Sequence, residues 1–208
     1  MLEEYDIFKN FSKQKLGKLV PAMLTVKYKR NIPVFKQGDP IDGLYMIKSG
    51  DFELKQEIMT EVEKPKPKVV QNELQDHLVL RNFNNKKIYK TKTIRILMAS
   101  EGQMIGLEEL CEWLLKVGSK TEQPKTGKAE EKKDNLKYEE PVRKTTLMAL
   151  NDNCEVFLIK KQELYSNVAY QFNQELLKSK LNYLKSFREK RIEGYEKHYE
   201  NAKFDSIQ

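Results

Sequence analysis

The chain has 208 residues, enough for one well-buried domain with an appendage. Its formal charge of +7 comes from 38 lysines and arginines interleaved with 31 aspartates and glutamates, a mildly basic surface suited to acidic protein partners and not the concentrated patch of a nucleic-acid binder. Two cysteines (Cys111, Cys154) and two histidines (His77, His198) have no metal-ligand spacing, the N-terminal MLEEYDIFKNF lacks the apolar run of a signal peptide, and no segment approaches the about 18 apolar residues of a membrane span. The thiols therefore read as buried groups in a reducing compartment.

Residues 3 to 24 carry Leu16, Leu19, Val20, Met23 and Leu24 at the period of a helix with one apolar face. Ser12 stands where a cap is placed and Pro21 imposes a break or kink, so one bent helix and two short ones are both open. From residue 26, VKYKRNIPVF and GLYMIKSGDFEL are short β-prone runs punctuated by Gly38-Asp39-Pro40 and Ser49-Gly50-Asp51. A rhythm of about ten residues per strand and turn suits a sandwich or jelly roll of antiparallel strands.

Residues 60 to 90 interrupt this rhythm. EVEKPKPKVV is a solvated, extended composition, NELQDHLVLRNFNNKK has room for one helical turn, and strand resumes over Ile88 to Met98. EGQMIGLEELCEWLLKVG turns into a short helix carrying Leu107, Leu110, Cys111, Leu114 and Leu115. Residues 116 to 140 are almost without apolar side chains, the composition of a long solvated loop. Two strands follow, VRKTTLMAL and CEVFLIK, parted by Asn151-Asp152-Asn153. From residue 161 to about 200 the pattern is helical, with Leu164, Val168, Phe172, Leu176, Leu177, Leu181 and Leu184 in one stripe that Tyr195 and Tyr199 extend. Its second half is so charged that only one side can be buried, and Gly194 weakens its last turns.

Three segments form a set: Val34-Phe35-Lys36-Gln37-Gly38-Asp39, Tyr45-Met46-Ile47-Lys48-Ser49-Gly50, and Arg143-x-x-Thr-Leu-x-Ala149 running into Cys154-Glu155-Val156. In that set, over roughly residues 5 to 175, the chain resembles the cyclic nucleotide-binding domain family of bacterial catabolite activators, kinase regulatory subunits and gated channels. The resemblance implies a mostly β fold with flanking helices: an eight-stranded antiparallel jelly-roll-like barrel, N-terminal helices and a long C-terminal helical segment. The expected division is a domain over 1–175, with insertions at about 60–90 and 111–142, and a charged helical extension over 176–208.

The resemblance also implies a site for a small anion. In the family a cassette of Phe-Gly-Glu-x-Ala-Leu, followed by an arginine, holds a cyclic phosphate through helix-start N–H groups and a guanidinium fork, with a carboxylate on the ribose. This chain has Ile105-Gly106-Leu107-Glu108-Glu109-Leu110. Gly106, Glu108, Arg143 and Thr145 are the candidate phosphate and ribose contacts, vestigial or competent, with Thr146 the alternative hydroxyl. Leu107 replaces the family's glutamate and forfeits a charge-assisted hydrogen bond worth about 1.5–3 kcal/mol; Glu108 takes that role only if the register slides by one. Glu109 replaces the alanine and brings like charge toward the phosphate. The plain alternative for Arg143 is a surface arginine paired with Glu139 or Glu140. Tyr165, Tyr170 and Phe172 are aromatic candidates for capping the base or for core packing.

Two readings of function follow. One is a non-enzymatic structural or adaptor module of a large intracellular assembly, its ligand binding lost, with the insertions and the one-sided terminal helix as partner surfaces. By resemblance such minimal domains occur in cilia and flagella, so protein partners in a cytoplasmic, axonemal, microtubule-associated setting are the expectation. The other is a cyclic AMP or cyclic GMP sensor whose ligand repositions the C-terminal helices. No cofactor is expected beyond such a nucleotide, and no enzyme: no nucleophile–base pair or metal cluster is present in sequence, and the carboxylate pair Glu108-Glu109 is expected at the surface. A transcription regulator is not expected, since the residues up to Gln208 offer no helix-turn-helix after the long helix.

Overall fold

The strand Gly43–Ser49 (β3) carries an almost unbroken apolar run because both of its faces are covered. Alternate side chains of a strand point opposite ways: Leu44 and Met46 enter a helical layer, whereas Tyr45 and Ile47 enter a second sheet. The computed structural model describes residues 2–62, 88–121, 140–168 and 172–205, and β3 lies near the centre of what it shows.

One antiparallel sheet has the order β1 (Met23–Tyr28), β8 (Cys154–Lys160), β3, β6 (Met104–Ile105). The other has the order β2 (Pro33–Phe35), β7 (Thr146–Ala149), β4 (Phe52–Val62), β5 (Ile88–Ala99). Phe35, Phe52 and Leu147 meet Tyr45, Ile47 and Val156 between them. The expected eight-stranded jelly-roll-like barrel is thereby corrected. The ladders end at β1 and β6 in one sheet and at β2 and β5 in the other, and neither sheet closes. Two of those edges are too short to carry a ladder onward. β6 has 2 residues, confined between turns at Gly102 and Gly106 with φ of 81° and 78°. β2 has 3 residues and a register shift, beginning at Pro33, which has no N–H to donate.

The helical layer packs on the outer face of the first sheet. The N-terminal stretch is neither one helix nor two: 3-10 turns at Leu2–Glu4 and Asp6–Phe8 precede α1 (Lys13–Leu19), and Pro21 falls in a further 3-10 turn, Val20–Ala22. Met23 and Leu24, counted in a helical stripe, belong to β1. Ser12 takes the cap position with its backbone, not its side chain. α2 (Leu107–Thr121) runs past the expected end of the short helix, because Leu110, Trp113 and Leu114 anchor it in the core. The stretch expected to be helical from 161 to 200 is split into α3 (Lys161–Val168) and α4 (Gln174–Asp205). The break is set by Asn173, whose Oδ1 accepts the N–H groups of Glu175 and Leu176 at 2.9 and 3.1 Å. α4 continues past Gly194. The pairing of β4 with β5 runs from Phe52–Ala99 to Val62–Ile88, so one long antiparallel arm leads into and out of the 60–90 interruption. The helical turn expected in NELQDHLVLRNFNNKK and the remainder of the 116–140 loop lie outside the described residues.

Gly43 marks the tightest backbone approach in β3: a Cβ there would lie 2.2 Å from the carbonyl oxygen of Ile159. Gly43→Ala is expected to lower unfolding free energy by about 1–3 kcal/mol, the cost of an overpacked core, seen as a lower urea midpoint at unchanged slope.

Candidate ligand site beneath the C-terminal helix

The turn at residues 36–39 builds the rear of the site. Asp39 accepts the Lys36 N–H at 2.7 Å, and Gly38 adopts φ 90°. Gly38 N–H then donates to the carbonyl of Arg143, and Arg143 N–H to that of Asp39, both at 2.8 Å. These two bonds fix residue 143 and send its side chain inward, where none of it is exposed.

Inside, Nη2 of Arg143 donates to Asp42 Oδ1 at 2.8 Å and to the Gly43 carbonyl at 2.7 Å. Nη1 donates to the Gly106 carbonyl at 3.3 Å and lies 3.9 Å from Glu109 Oε2. The rings of Phe35 and Tyr45 stand 4.4 and 5.4 Å from the guanidinium carbon. A buried guanidinium is tolerated because carboxylates and carbonyls replace its water. The Tyr45 hydroxyl donates to Asp42; burial first, and this bond second, hold its pKa well above the ordinary tyrosine value. Arg143 is thus not a surface arginine. Glu140 pairs with Lys161 instead, and Glu139 lies outside the described residues.

Gly106 is required by two independent constraints. Its φ is 78°, and a Cβ would sit 2.1 Å from Arg143 Nη1. Immediately after it, α2 presents Glu108 and Glu109 in its first turn, where the helix dipole favours carboxylates. Glu109 is buried, and its Oε1 accepts the backbone N–H of Lys144 at 2.9 Å. Glu108 receives Lys144 Nζ at 3.0 Å and a fork from Arg188 of α4, Nε at 3.0 Å and Nη2 at 3.2 Å. Lys144 also reaches Glu112 at 2.9 Å. Burial opposes the Lys144 charge, but the bonds to Glu112 and Glu108 outweigh it and hold its pKa above the usual lysine value. For Glu112 burial acts upward, and the bond from Lys144 outweighs it and holds the carboxyl below its usual value.

Between these groups and α4 lies a cavity of about 280 Å³. Gly106, Glu108, Glu109 and Thr145 form its polar side, while Tyr183, Leu184 and Phe187 of α4 cover it. Of the residues singled out from sequence, Gly106, Glu108 and Thr145 line this space, and Arg143 does not: it lies behind Gly106 and Glu109. Thr146 is committed elsewhere, its hydroxyl accepting Gln37 N–H at 2.9 Å. The aromatic candidates are not in the cavity either. Phe172 packs on Phe8 and Phe11 at 6.2 and 5.1 Å, Tyr165 lies against Trp113 at 6.1 Å, and Tyr170 is outside the described residues. The aromatic groups over the cavity are Tyr183 and Phe187, whose signal was the continuation Leu184, Phe187, Arg188 at helical spacing. Asp42 was also missed; its signal was a lone carboxylate before the apolar run GLYMI. Cys111 is buried, which pushes its thiol up to about 12 and makes it a poor nucleophile.

Arg143→Leu is expected to cost about 3–5 kcal/mol in urea unfolding, because it strands buried acceptors, and Arg143→Lys to recover only part of it. Stability should also fall at both pH extremes. The contribution of Glu112 is present above its ordinary pKa of 4.5 and is lost as pH falls through its lowered folded value. That of Lys144 is present below 10.5 and is lost as pH rises through its raised folded value. Melting temperatures across pH should show both limbs flattened in Lys144→Met.

No family model matches the chain, and no curated protein matches it. Solved structures do. The regulatory domain of Toxoplasma gondii PKA, crystallised with cAMP, superposes with a TM-score of 0.50 at 15% identity, over 87% of this chain and 47% of that one. The chain therefore spans about half the length of that regulatory domain. The sensor domain of the transcriptional regulator DNR from Pseudomonas aeruginosa also matches, with a TM-score of 0.47 at 15% identity over 92% of this chain and 89% of that one. Among the described residues no cluster of metal-ligating side chains forms, and no helix is long and apolar enough to cross a membrane. In its fold the chain resembles cyclic nucleotide-binding-like domains.

Proposed function

We propose that the chain is a non-enzymatic regulatory module in which a small ligand, entering the cavity, repositions α4. The observation that carries this reading is the link between roof and floor: Arg188 of α4 forks onto Glu108 while Tyr183, Leu184 and Phe187 line the α4 side of the space. Ligand and helix compete for one volume and one carboxylate, so occupancy changes how firmly α4 is docked by as much as the two states differ in affinity. At about 280 Å³ the partly open cavity falls just short of the ~300–1,000 Å³ of small-molecule sites, so a ligand of nucleotide size fits better once α4 has moved outward. A cyclic nucleotide is the reference ligand: the regulatory domain matched above holds cAMP, the apolar walls suit a purine, and Glu108 suits a ribose hydroxyl once Arg188 releases it.

A second reading, an adaptor that has kept the fold without the ligand, is favoured by one observation. Glu109 already occupies the approach to Arg143. The axonemal, microtubule-associated setting belongs to this reading, and co-sedimentation of the chain with polymerised microtubules tests it.

The regulatory reading is tested by calorimetric titration with cyclic AMP and cyclic GMP, paired with hydrogen exchange over residues 183–191. Binding should accelerate exchange there, and Arg188→Ala should bind more tightly and exchange faster even without ligand. Unchanged exchange at saturation, or no heat at millimolar nucleotide from either chain, overturns it in favour of the adaptor.

A further inference from the structure

The partners of Glu109 are those an anionic ligand would seek. Its carboxylate is buried, lines the cavity, accepts a backbone N–H from residue 144 and faces Arg143. The 3.9 Å to Arg143 Nη1 is close enough for charge neutralisation and too long for a hydrogen bond. The arginine is correspondingly under-used. A guanidinium carries five N–H donors. Here Nη2 makes two bonds and Nη1 one long one, and Nε has no partner although the side chain is wholly enclosed. An enclosed arginine with spare donors beside a cavity is an anion-holding group waiting for a better-placed anion. Glu109 stands between the two, since it lines the cavity and Arg143 does not.

We infer that Glu109 is a built-in anion and a specificity-determining residue: in the resting chain it occupies the approach to Arg143, so the site holds a phosphate-bearing ligand only weakly until that side chain is displaced or removed. Two negative groups against one buried guanidinium repel, and each would want the same donors. Leu107 does not compensate, having nothing to offer a ribose. Glu108 is held by Lys144 and Arg188 in the resting chain, so the phosphate contact is where affinity is gained or lost there. Gly106 completes the arrangement, because any side chain there would push Arg143 off its carbonyl partners. This inference rests on the reading of the cavity as a ligand site.

The test compares the full chain with Glu109→Ala and Glu109→Gln by calorimetry, with cyclic AMP as the anionic probe and adenosine as the neutral one. Cyclic AMP affinity should rise by about tenfold or more in both variants, the scale of one charge-assisted hydrogen bond, while adenosine affinity changes by less than about twofold. Glu109→Gln keeps an acceptor for the Lys144 N–H and nearly the same volume, so it covers the case in which the alanine variant fails to unfold cooperatively. Equal cyclic AMP affinity in all three chains, a parallel rise for adenosine, or no binding by any folded chain overturns the inference. Hydrogen exchange over 183–191 separates the two proposals. Tighter cyclic AMP binding without a response in α4 upholds Glu109 and sinks the coupling; equal binding with a response does the reverse.

Discussion

A charged guanidinium enclosed in an apolar interior organises this molecule. Arg143 cannot be there alone, because desolvating it without partners would cost several kcal/mol, a large share of a small domain's whole stability. Asp42, the Gly43 and Gly106 carbonyls, and the rings of Phe35 and Tyr45 are what make it tolerable. Those partners come from three separate places in sequence, the β2 edge, the start of β3 and the entry to α2, and the arginine itself comes from a fourth, the approach to β7. One side chain thus ties both sheets to the helix that floors the cavity. Loosening any of the four would expose a cost at the other three.

The same arrangement explains which glycines are fixed. Gly38 holds the backbone of residue 143, Gly43 offers a carbonyl while lying against β8, and Gly106 leaves room for the guanidinium. The glycine-punctuated stretch from Phe35 to Gly50 does not contact the cavity. It is the socket of the arginine behind it.

Much of this was legible in sequence and some was not, for physical reasons. Strand positions were read from alternation and turn residues because those signals are local: β3, β7 and β8 fall within the runs GLYMIKS, VRKTTLMAL and CEVFLIK. Closure of a sheet is not local. It depends on whether edge strands are long enough to pair, and nothing in Met104-Ile105 announces a strand of two residues. The split between α3 and α4 was hidden for a similar reason: the apolar stripe is continuous through Phe172, and only the Asn173 cap shows that the axis is interrupted. At the site, residue types and spacing name candidates, but their order in depth is invisible in them. Spacing cannot say that Glu109 faces the cavity and Arg143 stands behind it. Nor can it say that a carboxylate 101 residues away, Asp42, is the arginine's partner.

α4 has 32 residues, which at about 1.5 Å per residue makes a rod of about 48 Å. Its packed portion ends near Arg188, and from Glu189 to His198 almost every side chain is exposed. In the proposed repositioning of α4, the remaining length would act as a lever with its fulcrum at the Glu108 fork. A tilt of about ten degrees there would carry the far end through roughly 4 Å, given about 26 Å of rigid helix beyond it. Mechanical gain of that kind would let a small adjustment around one carboxylate be felt by whatever touches the tip.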